Sequence, residues 1–311
     1  MIWKESCSKL SRICQLLHEL KAVHRQYADA AMQYFRQSMS SFDLVIKPRG
    51  GWQPIDVHEL WRYRELLGFL VWRDIKVRYK QTLLGGGWAV LQPLIGMLVF
   101  GTLFTTVAPI RSDGSPYPLF VFAGLAPWTF FANALGLASN SLVGSEHMIR
   151  KIYFPRIFVP LGATFALGLD MLISVAFMGL VMAYYRWPVS PKICLLPIFI
   201  ASCFLIAGGL GLILSALNVR YRDVKYVVPF FTQMAFFLTP VIYPLRNVPP
   251  RLKMLVGLNP MAGTVEGFRY ALLGSPASWD VIWTSLIVSV VIFVIGLYSF
   301  RRLELTFADL I

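Results

Sequence analysis

Residues 56–107 read DVHELWRYRELLGFLVWRDIKVRYKQTLLGGGWAVLQPLIGMLVFGTLFTTV. The stretch begins as a helix-forming pattern, passes a knot of charge at Arg73, Asp74, Lys76, Arg78 and Lys80, and turns wholly apolar from Trp88. Asp56 and Glu59 have the spacing of a capping box, in which each side chain satisfies an otherwise orphaned backbone N–H at a helix start. Leu60, Tyr63, Leu67, Leu70 and Val71 recur at three- and four-residue steps and share one face, with Glu59, Arg62 and Arg73 off it. An apolar stripe with a basic border, set directly before a spanning segment, predicts a helix lying in the membrane interface. A surface helix of a soluble domain would carry the same stripe, but the rest of the chain leaves no soluble core for it to cover.

Composition points the same way. Of 311 residues, 57% are hydrophobic and 14% charged, where an ordinary globular domain carries roughly 25% charged residues. The mean hydropathy is +0.61. The net charge of +13 would suit nucleic acid, but the basic residues sit at the ends of apolar runs, where positive charge sets topology and meets anionic lipid. No nucleic-acid partner is expected. Cys7, Cys14, Cys194 and Cys203 show no CxxC or Cys/His metal spacing and read as free thiols. Charge from Lys4 onward, without an apolar core before a cleavage site, does not read as a secretory signal.

Six apolar runs are long enough to cross a bilayer: roughly 85–108, 118–143, 157–184, 194–217, 226–243 and 280–300. The fifth is short. With the N-terminus in the cytoplasm, only seven of the 29 Lys and Arg residues fall outside: Arg111, Arg186, Lys192, Arg246, Arg251, Lys253 and Arg269. That asymmetry predicts six crossings with both termini inside. Residues 1–54 read as a cytoplasmic extension and linker, 55–83 as the interfacial amphipathic helix with its basic junction, and 84–311 as the six-span domain. Residues 8–40 are helix-compatible and suit an accessory helix, a partner-binding arm or an unordered extension alike. The segment 245–275 is too apolar for a plain loop, yet Pro249, Pro250, Asn259-Pro260 and Gly263 interrupt any long helix. It reads as a re-entrant pair of short helices dipping in from outside, or as a helix lying on the outer surface. Glu266 and Arg269 are spaced to pair on one helical face.

The chain carries few groups suited to catalysis. It has no GxxxxGK[ST] phosphate loop, no carboxylate cluster at a membrane face, and only scattered histidines (His18, His24, His58, His147). No catalytic residue, metal site or cofactor is expected in this chain. Gly208, Gly209 and Gly211 lie in an apolar run, where small residues let helices approach closely. Asp170 is the lone acid well inside a span, which marks either a proton pathway or a polar group of the bundle or pore. Trp88, Phe100, Phe104, Trp128, Phe130, Phe131, Phe230, Phe231, Phe236 and Phe237 would pack, face lipid, or line a pore where rings guide a glycan. Val77-Arg78-Tyr79-Lys80 and Val219-Arg220-Tyr221-Arg222 echo each other at the basic margin. The amphipathic link Gly144–Arg156 is a natural surface for receiving force from a soluble partner.

Glu59-Leu60-Trp61-Arg62-Tyr63-Arg64, Trp72-Arg73-Asp74-Ile75-Lys76-Val77-Arg78-Tyr79, Tyr117-Pro118-Leu119-Phe120 with Gly124-Leu125, and Ser141-Leu142 run in order along the chain. They are followed by Tyr153-Phe154-Pro155-Arg156, Asn218-Val219-Arg220-Tyr221-Arg222-Asp223 and Leu258-Asn259-Pro260-Met261. Together these motifs resemble the membrane subunit of ABC-2 type polysaccharide exporters, which move O-antigen, capsule and teichoic-acid polymers. The resemblance covers about Val45 to the C-terminus. It implies a six-span subunit of the bacterial cytoplasmic membrane, working as a homodimer with two copies of a separate ATPase that holds ATP and Mg. The implied substrate is a polysaccharide on undecaprenyl diphosphate. Implied coupling residues are Glu146, His147, Met148, Ile149, Arg150, Lys151, Tyr153 and Phe154, with Arg220, Arg222 and Asp223 nearby. Arg73, Lys76, Arg78 and Lys80 are candidates for an inner rim that guides the diphosphate. Asp170, Trp128, Phe130, Phe131, Asn259, Glu266 and Arg269 are candidates for channel or gate. The alternative is an ion-gradient-driven flippase or secondary transporter that uses Asp170 and no ATPase.

Overall fold

The structure is a computed structural model that describes residues 57–80, 87–107, 114–249, 251 and 256–304. The chain divides into units 1–51 and 52–311, and every described residue belongs to the second. The N-terminal extension and the side chains of the Asp56/Glu59 capping box lie outside the described residues.

All regular structure among the described residues is helical. Helices α1 (Val57–Arg62) and α2 (Arg64–Lys80) come first, then α3 (Gly87–Thr102), which widens into a π-helical turn over Leu103–Val107. Helix α4 (Tyr117–Gly144) carries Pro118 in its first turn, where a missing N–H costs nothing, and runs 28 residues. The short α5 (Glu146–Lys151) follows at once. The single apolar run 157–184 resolves into α6 (Phe158–Ala166) and α7 (Gly168–Tyr184), joined at Leu167, which keeps near-helical angles. Helix α8 (Leu196–Arg220) follows a 3-10 turn at Pro191–Leu195, and then come α9 (Val224–Leu238), α10 (Pro260–Leu273) and α11 (Trp279–Glu304).

The centre of the bundle is α4. Its Leu119–Ala123 stretch is completely buried, and it packs against α3, α6, α7, α8, α9 and α10. Helices α8 and α11 meet backbone to backbone: a Cβ on Gly209 would fall 2.7 Å from the Ile292 carbonyl oxygen. The glycine cluster therefore serves close helix approach. The C-terminal ends of α4, α8 and α11 gather at one end, where Leu142, Leu212 and Phe300 share a core with Leu70, Ile149 and Phe154. This is the basic end. At the far end Trp187 Nε1 donates to the Leu273 carbonyl and the Tyr117 hydroxyl to that of Ile242.

Among the described residues, five helical stretches are long and apolar enough to cross a membrane: Gly87–Thr105, Tyr117–Gly144, Phe158–Tyr184, Pro191–Arg220 and Trp279–Glu304. The sixth expected crossing, 226–243, is shorter than its apolar run. Helix α9 has 15 residues, about 22 Å at 1.5 Å per residue. It stops because Thr239 precedes Pro240, whose ring disfavours a helical predecessor, and Thr239 sits at φ −93°, ψ 136°. The expected interfacial helix also differs in detail. It breaks at Tyr63 and stays helical through the basic junction to Lys80. Its stripe packs on α6, with Leu70 buried and Leu60, Tyr63 and Leu67 beside it, while Trp61, Phe69 and Trp72 face outward. Helix α10 does not lie on the surface. Met261–Phe268 is buried throughout, covered by α4, α8 and α11.

Candidate functional site

The lone acid Asp170 has partners 91 and 92 residues away in sequence. Helix α2 runs alongside α6 and α7, with Leu70 beside Gly162 and the end of α2 beside the first turn of α7. There Arg78 Nη2 lies 2.9 Å from Asp170 Oδ2, and the Tyr79 hydroxyl donates to Asp170 Oδ1. Burial, then the adjacent carboxylate, push the Tyr79 phenol above its ordinary pKa. The arrangement is a fixed ion pair completed by a phenol. Asp170 is the single acid lining a small cleft of about 20 Å³, whose polar lining is Arg78, Gln92, Thr129, Asn133 and Ser174 and which the half-exposed Trp88 also borders. Asn133 Nδ2 donates to Gln92 Oε1 at 3.1 Å and Ser174 Oγ to the Ala89 carbonyl at 2.7 Å, so both amides and the hydroxyl tie α3 to its neighbours.

The other rim candidates lie outside this cleft. Arg73 pairs with its neighbour Asp74 at 2.8 Å and reaches Met148 Sδ at 3.3 Å; Lys76 lies over the Trp72 ring, and Lys80 is exposed. The echo between 77–80 and 219–222 ends there. Tyr79 is turned inward to Asp170, while Tyr221 is exposed beneath the Arg220 guanidinium.

The 144–156 link has an inner and an outer side. Ile149 and Phe154 are buried in the basic-end core, and Met148 is half-buried against Arg73. His147, Arg150 and Lys151 are exposed, Glu146 binds Arg150 at 2.6 Å, and Tyr153 is 63% exposed. Arg222 and Asp223 are exposed in the turn between α8 and α9. That turn is held at the same end as α5, because Asn218 Nδ2 donates to the Ser139 carbonyl at 2.9 Å and to Asn140 Oδ1 at 3.2 Å.

At the far end, Arg269 does not form the helix-face pair with Glu266 that their spacing suggested. Its guanidinium donates to the Pro240 carbonyl (2.7 Å), the Val241 carbonyl and the Phe120 carbonyl (3.2 Å), and stacks over the Phe120 ring at 3.6 Å. The fork geometry of Arg suits this clamp on a turn whose carbonyls have no helix to bond. Asn259 caps α10 through Met261 N–H and donates to Thr239 Oγ1 at 2.8 Å. Glu266 Oε1 accepts from Ser278 N–H at 2.6 Å. Trp128, Phe130 and Phe131 are buried in the core, Trp128 against Phe131 and Phe236 and Phe130 against Phe204. Phe130 alone of the three also edges the cleft. Among the described residues no group of three His, Cys, Asp or Glu could hold a metal, and Cys194 (exposed) and Cys203 (buried) are free thiols.

Sequence reasoning found Asp170, Arg78, Tyr79 and Asn218 separately and missed the contacts of Asp170 with Arg78 and Tyr79 and of Asn218 with Asn140. The available signal was that a buried acid needs a cation, and the basic junction supplied several. The ABC-2 type transporter family profile matches residues 65–273. An O-antigen export system permease protein, RfbA, of Myxococcus xanthus is 32% identical over 216 residues, 68% of this chain and 82% of that protein. Its namesake from Klebsiella pneumoniae is 25% identical over 79% of this chain and 95% of that protein. The polysialic acid transport protein KpsM of Escherichia coli is 24% identical over 65% of this chain and 78% of that protein.

Proposed function

The chain belongs to the ABC-2 type transporter family, and on that premise we infer that it is the membrane subunit of an ATP-driven polysaccharide exporter. The observation that carries this reading is the similarity to O-antigen export permeases along most of their length. The family match runs from α2 through α10 and so takes in the cleft, the link and the far-end clamp.

In this reading the chain sits in the bacterial cytoplasmic membrane, the basic end faces the cytoplasm, as its Arg and Lys content favours, and both termini lie on the cytoplasmic side. Helix α9 and the turn after it complete the sixth crossing. Helix α10 is a re-entrant element, and its burial meets the requirement that irregular backbone near it be covered by protein. Two copies form the channel, since one small bundle encloses no path for a long polar chain. Two ATPase chains hold ATP and Mg and dock on the 144–156 link through His147, Arg150, Lys151 and Tyr153, beside Arg220, Arg222 and Asp223. Ile149 and Phe154 root that link in the core, so movement of the ATPase is passed to α4 and α6. The substrate is a glycan on undecaprenyl diphosphate, met by Arg73, Lys76, Arg78 and Lys80 at the inner rim. Pairing of Asp170 with Arg78 supports a structural ion pair over a proton relay and weighs against the gradient-driven alternative.

The test is purification of the tagged chain with stand-alone ATPases from its own cells, together with surface-glycan staining after gene disruption. An ATPase should co-purify, and disruption should leave the glycan inside. Unchanged surface glycan and no ATPase partner would refute the reading.

A further inference from the structure

Helices α1 and α2 turn one side to α6 and another to their surroundings. The inward side centres on Leu70, which shares a core with Leu142 in the last turn of α4 and with Phe300 near the end of α11. That core holds α2 level with the basic ends of the spans, and Gly87 opens α3 seven residues after Lys80. On the outward side Trp61, Phe69 and Trp72 are each more than half exposed. Arg64, Lys76 and Lys80 are exposed with them. The space beyond is open, since a Cβ on Gly68 would meet nothing within 4 Å. Two of the cations lie against the rings: Arg64 Cζ is 4.7 Å from the centre of the Trp61 ring, and Lys76 Nζ is 5.1 Å from that of Trp72.

Neither water nor hydrocarbon suits this face. Three large rings in water form an exposed apolar patch, which marks a contact. In hydrocarbon the cations beside them would stand unsolvated at high cost. The headgroup layer meets both needs. Tryptophan rings settle there, and lipid phosphates accept from the N–H groups that point away from the ring faces. Charge then selects among headgroups. Asp74 is taken up by Arg73, and the exposed cations outnumber Glu65, so anionic lipid is favoured over zwitterionic. We propose that the outward face of α1 and α2 is a docking surface for the headgroups of anionic phospholipids in the leaflet at the basic end. It takes bulk phospholipid, so it stands whichever substrate the chain moves. Lys76, also at the inner rim, belongs to the same headgroup layer.

The experiment uses the full chain carrying the photo-crosslinker Phe69→p-benzoylphenylalanine. It is placed in bilayers of phosphatidylcholine with a minor share of phosphatidylglycerol and no isoprenoid diphosphate. Irradiation and mass spectrometry then identify what touches residue 69. The adducts should hold phosphatidylglycerol about three- to tenfold above its share of the bilayer, because each basic residue near the surface adds to the attraction. Arg64→Gln combined with Lys76→Gln should lower that enrichment about threefold or more, and so should high salt. Both side chains are exposed, so the double variant should unfold close to the native temperature. The same crosslinker at Ile287, exposed on the apolar side of α11, should report the bulk lipid ratio. Bulk composition at residue 69, equal enrichment at residue 287, or enrichment that survives the double substitution would overturn the proposal. Adducts to a second copy of the chain in place of lipid would overturn it too, and would give the face to a subunit contact.

Discussion

A carboxylate in an apolar run is costly unless another element supplies a cation, and removing one partner of a buried pair leaves the other uncompensated. Asp170 is nearly buried, but Arg78 keeps a third of its side chain exposed, so water screens the pair in part. Asp170→Asn should therefore lower stability by about 1–3 kcal/mol, read as a lower unfolding temperature in detergent. Replacing Arg78 by Met in the same chain should recover part of that loss. Export should persist in Asp170→Asn, because an ion pair, unlike a proton relay, turns over no protons. Arg269 is a harder case. Its fork holds carbonyls of Phe120, Pro240 and Val241 at once. Arg269→Lys cannot span them and should destabilise the chain by about 2–4 kcal/mol, measured in the same way.

Among the elements, the 144–156 link shows how two adjacent aromatic residues divide their work. Tyr153 is 63% exposed and Phe154 only 6%. Tyr153→Ala should leave the unfolding temperature close to native while lowering glycan-stimulated ATP turnover of the co-purified complex. Phe154→Ala opens a cavity among Ile149, Ile157 and Phe158 and should cost about 3–5 kcal/mol, so its complex should be recovered in lower yield. Equal effects of the two substitutions would mean that the link is not a rooted lever. The stripe on α1 and α2 carries the same lesson. Leu70 is buried against α6 while Trp61 and Trp72 face outward, so the helix is apolar on more than the one face its periodicity marked.

For the whole molecule, the two ends differ in charge and in reactive groups. Cys194 is exposed in the 3-10 turn before α8, at the end opposite α5, whereas Cys203 is buried. With the basic end inside, a membrane-impermeant maleimide applied to intact cells should label the chain, and Cys194→Ser should abolish that labelling. Labelling that survives Cys194→Ser, or appears only after the cells are broken, would invert the orientation.

The sequence by itself determined the membrane class, the helical architecture, the positions of five long spans and the concentration of basic residues at one end. These are local properties: a window of about 20 apolar residues spans wherever it is placed, and charge counts need no partner. The motif order also pointed to the family that the comparisons support. Only the tertiary structure decided that Asp170 meets Arg78 and Tyr79, that Arg269 clamps carbonyls instead of pairing with Glu266, and that Phe154 points inward while Tyr153 points out. It also decided that α9 ends at Leu238, just ahead of Pro240, and that α10 is embedded. Each of these depends on how helices far apart in sequence are rotated and set against one another, and helical periodicity names a face without naming what covers it.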